Sequence, residues 1–142
     1  MPVRHRLLVF AAAAALAACE PAPPRQPLDA PSLQTQVRQL AGVAAEATLF
    51  TRELAAGHLN SAYAWVHQQS LASEAGRVGS SLAQPAPPSL QPQQRDALLL
   101  VWALQMDLMR VADAQRDPLE LQSLGSRFTQ VQRQAQALKG GR

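Results

Sequence analysis

Few side chains in this sequence could do chemistry, and their types and spacing narrow the possibilities quickly. Cys19 is the one thiol, so no intramolecular disulfide, cysteine-based zinc site or iron–sulfur cluster can form. Beyond it, His58 and His67 are the titratable groups best suited to proton transfer or metal binding. Folding a helical hairpin about residues 58–59 would bring Glu53 towards His67 and Glu74, a Glu–His–Glu set that could bind a divalent metal. A divalent ion wants three or four converging ligands, and the plainer reading is a rim histidine between two solvated acids. His58, in the turn itself, is expected in solvent. No Walker loop, Gly-x-Ser-x-Gly elbow, dinucleotide fingerprint or haem-attachment motif is present. The ferritin-type Glu-x-x-His pair is absent too. We therefore expect no catalytic residues, no metal and no cofactor, and a chain that is not an enzyme.

The thiol has a distinctive setting. Arg4, His5 and Arg6 precede twelve uncharged apolar residues, Leu7 to Ala18. That run is short of the roughly 20 residues needed to span a bilayer core. A basic start, a short apolar run and small residues make a secretory signal. The run closes Leu16-Ala17-Ala18-Cys19, which resembles the lipobox of bacterial lipoproteins. The resemblance covers residues 1–19 only. It implies cleavage before Cys19 with Leu16, Ala17 and Ala18 as recognition residues. It also implies a diacylglycerol on the thiol and usually an acyl chain on the new amine. Two or more chains anchor stably, at about 0.8 kcal/mol per buried methylene. Glu20, rather than Asp, follows the cysteine, which leans towards the outer membrane, facing the periplasm. The implied partners are the membrane itself, through this lipid, and an envelope protein.

Removing the signal also changes the charge. The full chain carries +3 with a pI near 10.0, which invites a nucleic-acid reading. Without Arg4 and Arg6, eleven basic side chains face ten acids. The product is near neutral, and we expect no nucleic-acid partner. Arg127, Arg133, Lys139 and Arg142 form a thin basic stretch, read as a solvated helix face, with anionic lipid or cell-wall polymer as the other candidate contact.

The elements that must position these groups follow. Residues 20–31 contain five prolines in twelve positions, a composition for extended polyproline chain rather than helix or sheet. We divide the chain into a signal (1–18), a lipidated tether (19–31), a helical domain (32–139) and a tail (140–142). From Ser32 onward the residues are rich in Ala, Leu, Gln and Arg, all good helix formers, and no hairpin signal appears. A first helix, capped by Ser32 and stopped by Gly57, places Leu33, Val37, Leu40, Ala44, Ala47, Thr51 and Leu54 on one stripe, widened by Val43 and Phe50. A second runs from Asn60-Ser61 to about Ala83, with Ala62, Tyr63, Trp65 and Val66 loading its first turns. Its later turns are small-sided through Ala72, Gly76, Gly79 and Ser80. A third, from Ser89–Pro92 to about Arg116, has an apolar arc from Leu98 to Val111 wide enough to make it the central helix. Its polar edge, Asp107, Arg110, Asp113 and Arg116, reads as a solvated ladder. A fourth starts with Asp117, Pro118 and Glu120 in a capping-box arrangement and buries Leu121, Leu124, Phe128, Val131, Ala135 and Leu138.

Four such helices on short connections imply an all-α fold, an antiparallel up-down bundle, with a three-helix bundle plus one lone helix as the fallback. Tyr63, Trp65 and Trp102 are the candidate partner or ligand face. Packing in the core against Phe50 and Met106 would explain them more simply, whereas an exposed aromatic would mark a docking groove. The function expected is a non-enzymatic interaction or accessory module of the envelope. The alternative is a carrier of an apolar small molecule or lipid within the bundle.

Overall fold

The computed structural model describes residues 26–139. The signal, Cys19 and the tail therefore lie outside the described residues. Those described form four helices and no strand: α1 (Ala30–Ala55), α2 (Ser61–Leu82), α3 (Gln91–Ala114) and α4 (Pro118–Lys139).

Local chemistry sets most of the ends. Asp29, not Ser32, caps α1, its carboxylate accepting the Ser32 N–H at 2.8 Å. That hydrogen bond holds the Asp29 carboxyl below the usual carboxylate range. Leu28 and Leu33 then occupy the staple positions either side of the cap, and both are buried. The Leu28 N–H also donates to the Pro85 carbonyl at 2.8 Å. The folded domain thus begins at Leu28, several residues before the boundary expected at Ser32. An apolar residue at the position preceding the cap has somewhere to go, and a proline-rich composition does not prevent it. Gly57, at φ 73°, ends α1 in the left-handed region. Asn60 caps α2 by accepting the Tyr63 N–H at 2.8 Å. Asp117 caps α4, accepting from the Leu119 and Glu120 N–H groups at 3.0 and 3.1 Å. The reciprocal half of the expected capping box is replaced, because the Glu120 carboxylate accepts from Arg110 of α3 instead.

The helices form a ring in which α1 meets α2 and α4, and α3 meets α2 and α4. Positions that rise along one helix fall along its neighbour. Thr48 faces Thr129, hydroxyl to hydroxyl at 3.4 Å, and Thr51 faces Gly125. Gln68 Nε2 donates to the Leu108 carbonyl at 2.8 Å, while Gly79 faces Val101. Gln93 at the start of α3 donates to the Leu138 carbonyl at the end of α4, 2.6 Å away. The open carbonyls after α2 are closed by Gln94, which donates to Leu82 at 2.5 Å and Gln84 at 2.7 Å.

The buried stripes of α1 and α4 follow the predicted spacing, with Leu138 half-buried. On α2 the first turns differ: Ala64 and Gln68 face the core, and Ala62, Tyr63, Trp65 and Val66 are exposed. The expectation that α3 is the most buried helix is also overturned. It buries Ala97, Val101, Leu104, Asp107, Leu108, Val111 and Ala114, fewer residues than α1. Its wide apolar arc is two stripes, and only one can face inward.

The α1–α4 contact is close enough to test. A Cβ built on Gly125 would lie 3.0 Å from Thr51 Oγ1, which is buried and donates to the Ala47 carbonyl at 3.0 Å. Gly125→Ala should therefore forfeit the ~1 kcal/mol that alanine otherwise gains over glycine within a helix. In a Thr51→Ala background the obstruction is gone and the gain should reappear. A double-mutant cycle by chemical denaturation should show coupling of about 1 kcal/mol; strict additivity would mean that the helices are not in contact there.

Candidate interaction surface

On α2, Ala64, Gln68, Leu71, Ala75, Val78 and Leu82 point inward. Each residue turns the helix by about 100°, so Tyr63 and Trp65 flank Ala64 on opposite sides. Tyr63 lies on the α1 side. Its ring stacks on His67 with centroids 5.7 Å apart, and His67 meets the edge of Phe50 at 4.9 Å. Trp65 shares the side of Gly76 and Gly79, which face Gln105 and Val101, so it belongs to the α3 side. The three aromatic candidates are thus not one cluster: Tyr63 and Trp65 lie on opposite sides of α2, and Trp102, next to the Val101 that faces Gly79, lies fourteen residues of helix from the level of Trp65.

All three are exposed, Tyr63 by 52%, Trp65 by 60% and Trp102 by 64%, so packing in the core does not account for them. The neighbours expected to bury them diverge as well. Phe50 is in the core, but Met106 is 40% exposed. Val66 on α2 and Leu99 and Met109 on α3 are more than half exposed as well, so both helices carry apolar side chains on their outer sides. Sequence reasoning missed the regular stripe on α3, Leu99-Trp102-Met106-Met109. Its signal was available: these four step 3-4-3, as do the buried Val101, Leu104, Leu108 and Val111.

The polar groups separate rather than converge. Glu53 Oε2 lies 2.8 Å from His58 Nδ1, and this contact holds the Glu53 carboxyl below its usual range. His67 Nε2 lies 3.3 Å from Glu46 Oε1, on α1. The imagined Glu53–His67–Glu74 set therefore does not assemble, and among the described residues no three His, Cys, Asp or Glu side chains are placed to share a metal ion. His58 is exposed, as its position in the turn implied.

Asp107 departs most from expectation. It is buried at 2% exposure, not part of a solvated ladder. It follows Leu104 by three residues and precedes Val111 by four, which puts it on the inward stripe. Its Oδ1 lies 2.8 Å from Arg127 Nη2 and 4.0 Å from Arg110 Nη1. The Arg127 contact is a close ion pair without aligned hydrogen-bond geometry. Burial pushes the Asp107 carboxyl up, and the two guanidinium groups oppose that. With Arg110–Glu120, this network ties α3 to α4. Arg127 is thereby committed to Asp107, which removes it from the basic stretch; Arg133 and Lys139 remain exposed.

A groove of about 520 Å³ runs between α1 and α4, lined by Thr48, Thr51, Ala55, Leu121, Gly125 and Thr129, and it opens to solvent. The interior itself is filled by Leu33, Leu40, Leu71, Leu104, Leu108, Leu124 and Phe128. No described helix is long and apolar enough to cross a membrane. Compared with known protein families, curated proteins and solved structures, the chain matches none.

Proposed function

We propose that this chain is a lipid-anchored envelope protein, outer-membrane attached and facing the periplasm, that works as a non-enzymatic interaction module. We read its four helices as an up-down antiparallel bundle carried on a short tether. The observation that carries the recognition role is the outer apolar face of α2 and α3. Tryptophan and methionine side chains held half or more in water are costly unless a partner covers them. A filled interior favours recognition on an outer surface over a ligand held inside the bundle.

The anchor rests on the lipobox resemblance at Leu16-Ala17-Ala18-Cys19. Because the fold starts at Leu28, eight residues separate it from Cys19. As extended polyproline chain, at ~3.1 Å per residue, they would reach about 25 Å. The module therefore works close to the bilayer, where tethering raises its effective concentration towards other anchored proteins.

Fractionation of the cell envelope tests the anchor. The native chain should remain with the membranes after a high-salt wash and incorporate labelled palmitate. Cys19→Ala should lose both properties and appear in the soluble fraction. A Cys19→Ala protein that stays with the membranes would show the anchor to be wrong. For the recognition face, in-cell crosslinking followed by membrane solubilisation should capture a defined complex with another envelope protein, lost in Trp65→Asp.

A further inference from the structure

We infer that the outer stripe of α3 is a seam for a second copy of this chain, paired antiparallel across a two-fold axis at the level of Leu104. The inference rests on reading the α2–α3 outer face as an interaction surface and names its partner.

Six consecutive stripe positions carry the argument: Arg95, Leu99, Trp102, Met106, Met109 and Asp113. They step 4-3-4-3-4, and every one is exposed. At about 100° per residue they centre roughly 160° from the buried stripe. They project away from the core, so a second α3 can approach without meeting α2 or α4 first. Spacing of this kind keeps one apolar seam on one side of a helix, the condition for left-handed helix pairing.

The order of the residues selects the partner. In an antiparallel pair about Leu104, Leu99 meets Met109 of the partner subunit, and Trp102 meets Met106 of the partner subunit. Arg95 then meets Asp113 of the partner subunit, and by symmetry both ends of the seam close with opposite charges. A parallel pair would instead set Arg95 against its own copy, and Asp113 likewise. An isologous interface requires this self-complementarity, and a seam for an unrelated protein does not. Among the described residues Arg95 approaches only the adjacent Asp96, at 3.8 Å, and Asp113 makes no ion pair. Both are free to pair outward.

Four apolar side chains bury on the order of 500 Å² per copy, less than the ~800 Å² per partner of a standard stable interface. The pairing is therefore reversible in dilute solution and favoured where the chains are confined to one membrane. Trp65 and Val66 lie outside the seam and stay open to an envelope partner.

The test uses the full-length chain purified in detergent. Sedimentation equilibrium should show a concentration-dependent monomer–dimer equilibrium. Arg95→Asp alone and Asp113→Arg alone should each weaken the dimer several-fold, and the double variant should restore it. These positions are exposed, so unchanged thermal melts check that the variants fold. Oxidation should crosslink the Leu99→Cys, Met109→Cys double variant, whereas Leu99→Cys alone should not crosslink, its two copies being about 15 Å apart along the seam. The pairing is overturned by a chain that stays monomeric at all concentrations, by charge reversals that are not mutually restoring, or by Leu99→Cys crosslinking to itself as readily as the pair. Cys19→Ala separates the two proposals. A monomer that still leaves the membrane on this substitution overturns the seam and keeps the anchor; a dimer that stays membrane-bound does the reverse.

Discussion

Phe128→Ala is expected to destabilise the fold by about 3–5 kcal/mol. Phe128 is the largest of the fully buried side chains, at 0% exposure. Its helix is held on both sides: to α1 through Thr129–Thr48 and to α3 through Arg127–Asp107. Rigid helices pinned in this way cannot collapse into the space left by the ring, so the cavity cost adds to the lost burial. Domains of this size are stable by only about 5–15 kcal/mol, so the variant should lose a large part of its folded population. Urea denaturation followed by circular dichroism measures it. A loss below about 1 kcal/mol, the size of an ordinary surface change, would mean that α4 does not close the core.

The second large effect concerns the buried carboxylate, and its sign depends on which partner is removed. Arg127→Met should cost about 3 kcal/mol at neutral pH, because it leaves the Asp107 charge buried with only the more distant Arg110. Asp107→Leu should be neutral or stabilising by up to about 2 kcal/mol, since Arg127, half exposed, can turn to water. The pH dependence follows from the raised carboxyl. The folded protein keeps the Asp107 proton to higher pH than the unfolded chain does. Stability contributed by this group is therefore full below the unfolded pKa and lost as pH rises through the folded one. Arg127→Met removes the nearest opposing charge and extends that window upward, so its deficit should shrink on acidification. Asp29 and Glu53, held low, act in the opposite sense and lose their contribution as pH falls. The wild-type minus Asp107→Leu difference cancels them and isolates the buried group. If that difference is flat with pH, the Asp107 carboxyl is not raised in the folded state.

The buried stripes of α1 and α4 were legible from spacing because each helix has a single apolar face. A stripe with polar residues all round it can turn only one way. The start of α1 was less legible, with Asp29 and Ser32 both able to cap and only the burial of Leu28 deciding between them. The face on α2 and α3 was legible in composition but not in placement. Tyr63, Trp65 and Trp102 stood out as aromatic, yet type alone does not separate a core ring from a docking ring. Asp107 is ambiguous for a related reason. Its charge groups it with Arg110, Asp113 and Arg116, whereas its spacing from Leu104 and Val111 puts it on the inward stripe.

Features that depend on near neighbours along the chain are written in the residues alone. Helical propensity, the Asn60 and Asp117 caps, the Gly57 stop and the single stripes of α1 and α4 are all of this kind, because each interaction spans only a few residues. Which of the two α3 stripes is buried depends instead on packing between helices. Both have the same 3-4-3 spacing, and the choice rests on shape and charge brought from elsewhere in the chain. Gly79 leaves room for Val101 to approach, and Arg127 reaches across from α4 to neutralise Asp107. The stripe bearing Val101 and Asp107 therefore turns inward, and Leu99, Trp102, Met106 and Met109 are left on the outside.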